Sequence, residues 1–197
     1  SYTQAAALSD GGLTALPFLR DTGSVKAGQS VLVNGASGAV GSAAVQLARH
    51  LGATVTAVTS GPNLALVRQL GAHHVIDYTV DDFTKSAERW DVVFDAVGSS
   101  TFGRARRVLT PRGIYLATVP GAVLVQSLFT RRAAIAFTGL RSDAAKRPDL
   151  AELARLTAEG HLTPLHDSSF PMTEIARAHA RVDSKRKRGT VVLLPPS

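Results

Sequence analysis

From residue 30 onward, short apolar and β-branched runs alternate with stretches of helical period, a pattern that predicts βαβ units building a parallel sheet with helices on both faces. The first run, Val31-Leu32-Val33, is unbroken, as expected of a central strand buried on both sides. After a glycine turn, residues 39–51 set Val40, Ala44, Leu47, Ala48 and Leu51 on one helical stripe with Arg49 and His50 facing away, and Gly52 ends that helix. A second strand is expected at 54–58, a turn at Ser60-Gly61-Pro62, and a helix running to about Leu70 and closed by Gly71. Strands at 74–76, 92–94 and 114–119, with a helix over 102–109, continue the alternation. Beyond it, the pattern predicts a strand at 134–137, helices at 148–159 and 173–182, and a last strand at 190–194. The fold class is therefore α/β, a doubly wound parallel sheet, read as one domain over residues 1–197. Two segments fit less well: a lead-in helical segment over 1–29, with its helix at 5–20, and a closing strand within 184–197 that follows a basic turn instead of a crossover helix.

The turn after the first strand carries the chemistry. Gly35-x-x-Gly38-x-x-Gly41 falls where a buried strand must bend sharply into a helix, so glycine can take positive φ and let a ligand approach the backbone. The helix that follows directs unpaired N–H groups and a partial positive charge at that ligand, which makes the turn an anion site. A strand, a glycine turn and a helix inside a βαβ unit form the pyrophosphate-binding arrangement of a Rossmann fold, with NADPH or NADH as the expected ligand. Readers of NAD place an Asp or Glu at the end of the second strand for the ribose 2′-hydroxyl. This chain has Thr59-Ser60, hydroxyls with no carboxylate, which favours NADP over NAD. Ser60 also suits an N-cap of the following helix.

Composition narrows the classes. Among 197 residues there is no cysteine, which removes disulfides, thiolate zinc ligands and cysteine nucleophiles and points to a cytoplasmic setting. No run approaches the roughly 18 apolar residues of a membrane span, and residues 1–10 lack the order of a signal peptide, so no membrane association is expected. The net charge of +7 comes wholly from the second half, because residues 1–100 carry 6 basic and 8 acidic groups and residues 101–197 carry 16 and 7. Lys185-Arg186-Lys187-Arg188 has the look of a phosphate-binding run, but few aromatics interleave with it, and nucleic acid is not the expected partner. His73-His74 would point to opposite faces of a strand and so would not share a metal ion; His161 and His166 are read as surface residues flanking a turn, and no metal site is expected. None of Tyr2, Tyr78 and Tyr115 has a lysine four residues on, which removes the Tyr-x-x-x-Lys proton donor of short-chain reductases.

Six segments in order, Gly12-Leu13-Thr14-Ala15, the stretch from Gly28 to Gly41, Ala48-Arg49-His50-Leu51-Gly52-Ala53, Leu70-Gly71-Ala72, Val75-Ile76-Asp77-Tyr78 and Phe94-Asp95-Ala96-Val97-Gly98, resemble the medium-chain dehydrogenase/reductase superfamily. The likeness lies on its zinc-independent quinone oxidoreductase and enoyl reductase side. It implies an oxidoreductase that uses NADPH to reduce a small-molecule acceptor, a quinone, enone or related carbonyl compound. By the same resemblance Thr14 lies near the nicotinamide ribose and phosphate, and Gly38, Ala39 and Val40 donate to the pyrophosphate. Ser60 and Tyr78 contact the adenosine 2′-phosphate, and Val97 and Val119 line the nicotinamide ribose. Asn34, Gly35, Ser37, Gly41 and Thr59 complete the expected cofactor site. Tyr78 also fits an exposed strand-end aromatic, and Val97 and Val119 also fit core positions. Relatives often pair the 2′-phosphate with a Lys or Arg after the second strand, where this chain has Pro62-Asn63. The family's GroES-like catalytic domain has no counterpart in these residues, so the two ends are expected to run back to it, and no catalytic residue is assigned. Relatives commonly form a homodimer through their sheet edges, for which the strand at 134–137 is the candidate; a buried central strand there would carry the same pattern. The same glycine turn would also serve a non-catalytic nucleotide-binding module, a redox sensor or scaffold.

Overall fold

The computed structural model describes residues 1–136 and 138–195. Six strands, β1 (Ser30–Asn34), β2 (Thr54–Thr59), β3 (His74–Asp77), β4 (Trp90–Asp95), β5 (Leu109–Ala117) and β6 (Ala133–Ile135), form one sheet in the order β3-β2-β1-β4-β5-β6. Every neighbouring pair is parallel. This is the doubly wound order in which the chain leaves the centre in both directions, and it opens a crevice at the carboxyl ends of β1 and β4. β6 is the outer strand beside β5, which settles its place as an edge; Phe137, the last residue of the expected strand, lies outside the described residues.

Helices α1 (Tyr2–Pro17), α2 (Ala39–His50), α3 (Leu64–Gln69), α4 (Phe102–Ala105), α5 (Ala122–Phe129), α6 (Asp143–Ala158) and α7 (Ile175–Asp183) connect or cover the strands. α1 starts with a reciprocal capping box between Ser1 and Gln4 and runs into a wider π turn, Phe18–Thr22. Its glycines serve close packing. A Cβ on Gly11 would lie 2.3 Å from the carbonyl oxygen of Ala39, so α1 presses against the first turn of α2. For that reason α2 is buried nearly all round, including Ala43 and Val45, where one stripe had been expected. The apolar faces meet in a core of Val31, Val33, Leu47, Val55, Phe94 and Leu116, with Phe18 edge-on to Phe94 at 5.5 Å between ring centroids.

Three expectations are corrected and one helix is added. The helix at 102–109 ends at Ala105, because Leu109 pairs with Trp90 and opens β5, while Val119 lies beyond the strand end. The helix expected from Pro148 starts at Asp143, capped by the Ser142 hydroxyl, with Pro148 inside it. α5 has an apolar sequence, AVLVQSLF, with no polar period to announce it, and it leaves Leu124, Val125, Leu128 and Phe129 exposed. Finally, β8 (Thr190–Leu194) does follow a crossover helix: a polar strand, β7 (His166–Pro171), pairs with it in parallel across α7 as a separate two-stranded sheet. His166 is exposed, as expected, but sits in that strand. Among the described residues no helix is long and apolar enough to cross a membrane.

Candidate functional site

The crevice is framed by the glycine turn. Gly35 has φ +81°, and a Cβ there would meet Val97 Cγ1 at 2.5 Å, so glycine is required for two reasons. The amides of Gly35 and Ala36 donate to the carbonyl of Val58 at 3.1 and 3.0 Å, which fastens the turn to β2. At Gly41 a Cβ would lie 2.1 Å from the Gly35 carbonyl oxygen, so this glycine lets α2 sit directly on the turn. Gly38 differs: it has φ −78°, and a Cβ would meet only the Gly35 oxygen at 3.4 Å, leaving open space in front of it. The amide of Gly38 is bonded to Gly35, and that of Ser42 to Gly38. Between them the first-turn amides of Ala39, Val40 and Gly41 have no intrahelical partner, by the geometry of a helix start. No side chain caps this helix.

On one side of the turn, a hydroxyl network reaches β2. The Thr59 hydroxyl donates to Ser37 Oγ at 2.9 Å, and Asn63 Nδ2 lies 3.2 Å from the hydroxyl oxygens of both Ser37 and Ser60. Asn63 Oδ1 is buried and has no partner among the described residues. Tyr78 follows β3 with its amide bonded to the Thr59 carbonyl at 3.0 Å, and its ring is exposed. Thr59 itself is buried, so it braces Ser37 from behind.

On the other side, Val97 and Val119 are 51% and 43% exposed, which removes them from the core, and Val97 lies against Gly35 of the glycine turn. Gly98 has φ +68°, and a Cβ there would meet Val119 at 2.8 Å, so the loops after β4 and β5 are in contact. An open cleft of about 350 Å³ runs between Thr14, Phe18, Val40, Thr118, Pro120, Ala136, Gly139 and Leu140. Thr14 and Val40 are thus brought together. Asn34 is not brought to the cleft. Its Nδ2 donates to Asp95 Oδ1 at 3.0 Å and to Ser99 Oγ at 2.8 Å, which uses both of its protons.

Asp95 is the residue that pattern reading passed over. Fully buried at the end of β4, it accepts from Asn34, from the amides of Val97 and Gly98 at 3.1 and 2.9 Å, from the amide of Ser100 at 2.9 Å, and from the Tyr115 hydroxyl at 2.9 Å. These donors make burial of the carboxylate tolerable and shape the loop that carries Val97. Burial, then the adjacent Asp95 charge, push the Tyr115 phenol well above its ordinary range, so it stays a donor. A lone Asp closing an apolar strand is a signal for such a hub, because it cannot be buried without several partners.

Comparison with known proteins gives this geometry a family. Residues 70–193 match the model of the family described as zinc-binding dehydrogenase. The chain belongs to the medium-chain dehydrogenase/reductase superfamily. Within that superfamily it is 32% identical over 207 residues to a protein named 2-haloacrylate reductase from Burkholderia sp, covering 93% of this chain and 61% of the relative. It is 29% identical to a protein named quinone oxidoreductase from Pseudomonas aeruginosa, over 98% of this chain and 65% of that one. The structure of the quinone oxidoreductase from Coxiella burnetii superposes with a TM-score of 0.87 at 30% identity, over 98% of this chain and 61% of that chain. The chain thus spans about three fifths of the length of these relatives.

Proposed function

We propose that this chain is the nucleotide-binding part of a zinc-independent medium-chain oxidoreductase, with NADPH as cofactor and a quinone, enone or related carbonyl compound as acceptor. One observation carries the reading: the first-turn amides of α2, with no intrahelical partner and no side-chain cap, face open space before Gly38, at the point where the sheet order diverges. The residues fit a dinucleotide. The amides match a pyrophosphate, and the buried, partnerless Asn63 Oδ1 suits a ribose hydroxyl, which is a donor. Ser60 and Tyr78 would hold the adenosine end, with Thr14, Val97 and Val119 around the nicotinamide end. The bound cofactor would supply a hydride; the chain's own residues fix its position and exclude water from the apolar cleft wall.

Zinc independence rests on the chemistry of the residues, since the 197 include no cysteine. A cytoplasmic setting rests on the same composition. Pairing of two copies along the open edge of β6 belongs to the same reading. No side chain is assigned as a proton donor.

The test is NADPH oxidation by the purified protein against a panel of quinones, enones and aldehydes, with and without a strong zinc chelator. Turnover of at least one class that survives the chelator is expected. Nucleotide binding with no turnover of any acceptor would favour a non-catalytic sensor or scaffold.

A further inference from the structure

The adenosine side of the crevice has a cation, contributed from the far end of the chain. The turn from Ser60 to Asn63 is closed by the Asn63 amide on the Ser60 carbonyl at 2.9 Å and contains no Lys or Arg. The guanidinium of Arg188 lies against that turn, its Nη2 donating to the Pro62 carbonyl at 3.3 Å. The backbone of Arg188 is fixed on each side. Its own amide donates to the buried carboxylate of Asp167 at 2.7 Å, and the amide of Gly189 donates to the Ser37 carbonyl of the glycine turn at 2.9 Å. Gly189 holds φ +82°, and a Cβ there would lie 2.0 Å from the Leu165 carbonyl oxygen, so the approach is locked. Asp167 is neutralised by a two-pronged pair with Arg181, and among the described residues no carboxylate lies within ion-pair distance of Arg188. The Asp77 carboxylate, which borders this turn at Gly61, accepts from the amide and hydroxyl of Thr79 at 2.9 and 2.7 Å.

We infer that Arg188 is the residue that reads the adenosine 2′-phosphate, in place of a cation on the turn after β2. The inference rests on the NADPH reading and deepens it. A guanidinium carries five N–H donors, of which Pro62 engages one, and the remaining fork matches two oxygens of a phosphate. The basic run 185–188 gains a specificity role at its last residue.

The test is a titration of the purified protein with NADPH and with NADH, in wild type, Arg188→Ala and Arg147→Ala. Arg147 is an exposed residue of α6, and its removal subtracts the same charge elsewhere. Loss of one charge-assisted phosphate contact predicts that Arg188→Ala weakens NADPH about 10-fold or more, leaving NADH within about twofold, with Arg147→Ala changing neither. If wild type prefers NADPH and Arg188→Ala weakens both nucleotides alike, or neither beyond Arg147→Ala, the assignment of Arg188 is overturned and the NADPH reading stands. If wild type shows no preference for NADPH, the underlying reading fails and takes this inference with it.

Discussion

The phenol of Tyr115 donates to Oδ2 of Asp95 at 2.9 Å, joining β5 to β4 at the end of the sheet where the crevice opens. Four other donors hold the same carboxylate, so the two residues differ in what they support. Tyr115→Phe removes one hydrogen bond to a buried charge and is expected to cost about 1.5–3 kcal/mol in urea unfolding, with nucleotide affinity almost unchanged. Asp95→Ala strands the amides of Val97, Gly98 and Ser100, and is expected to cost more than Tyr115→Phe and also to weaken the nucleotide. Equal loss of affinity in both variants would show that the loop after β4 is not governed by Asp95.

The glycines of the turn separate by role. Gly41→Ala drives a Cβ to 2.1 Å from the Gly35 carbonyl oxygen, and backbone there cannot yield cheaply. An overpacking cost of about 2–3 kcal/mol is expected in denaturant unfolding. Gly38→Ala meets only one atom at 3.4 Å at an ordinary φ, so its cost should stay under about 1 kcal/mol, that of a poorer helix cap. A reversal of that order would mean that α2 does not rest on Gly35.

Acid sensitivity should trace to Asp167. Its carboxylate is buried, and the Arg181 guanidinium, with the Arg188 amide and Ser168 hydroxyl, holds it far below the usual carboxylate range. A group depressed in the folded state contributes stability that is fully present above its unfolded value of about 4 and is lost as pH falls toward the folded one. Stability measured from pH 7 downward should therefore begin to decline below about pH 4 through this group. Asp167→Asn is expected to lose about 1–3 kcal/mol at pH 7 and to flatten that part of the decline. An unchanged slope between pH 4 and pH 2 in the variant would assign the acid sensitivity elsewhere.

Much of this was legible in the sequence because burial leaves a pattern. The run Val31-Leu32-Val33 and the apolar runs after it announce all six strands of the main sheet in order, and the glycine spacing locates the turn that the structure puts at its crevice. β7 was invisible, since His-Asp-Ser-Ser-Phe-Pro has neither an apolar run nor an alternation; its partner β8, which begins 19 positions after β7 ends, across α7, is what makes it a strand. α5 hid for the opposite reason, its eight residues being apolar apart from Gln126 and Ser127 and too few to show a polar period. In the site, the contacts of Arg188 and Asn34 left no local signal. Arg188 reaches Pro62 across 126 positions, and the demand on Asn34 comes from Asp95, 61 positions on; neither distance leaves a periodic trace.

The central claim is that the start of α2 holds a dinucleotide pyrophosphate, and calorimetric titration of NADPH into wild type and Gly38→Asp tests it most directly. Space before Gly38 admits the new side chain, and Asp is a favourable N-cap, so the variant should fold at least as stably while its carboxylate occupies the first-turn amides and repels the ligand. The account predicts NADPH binding in wild type and its loss in this well-folded variant. Equal NADPH binding by the two proteins, or none by wild type, would contradict it.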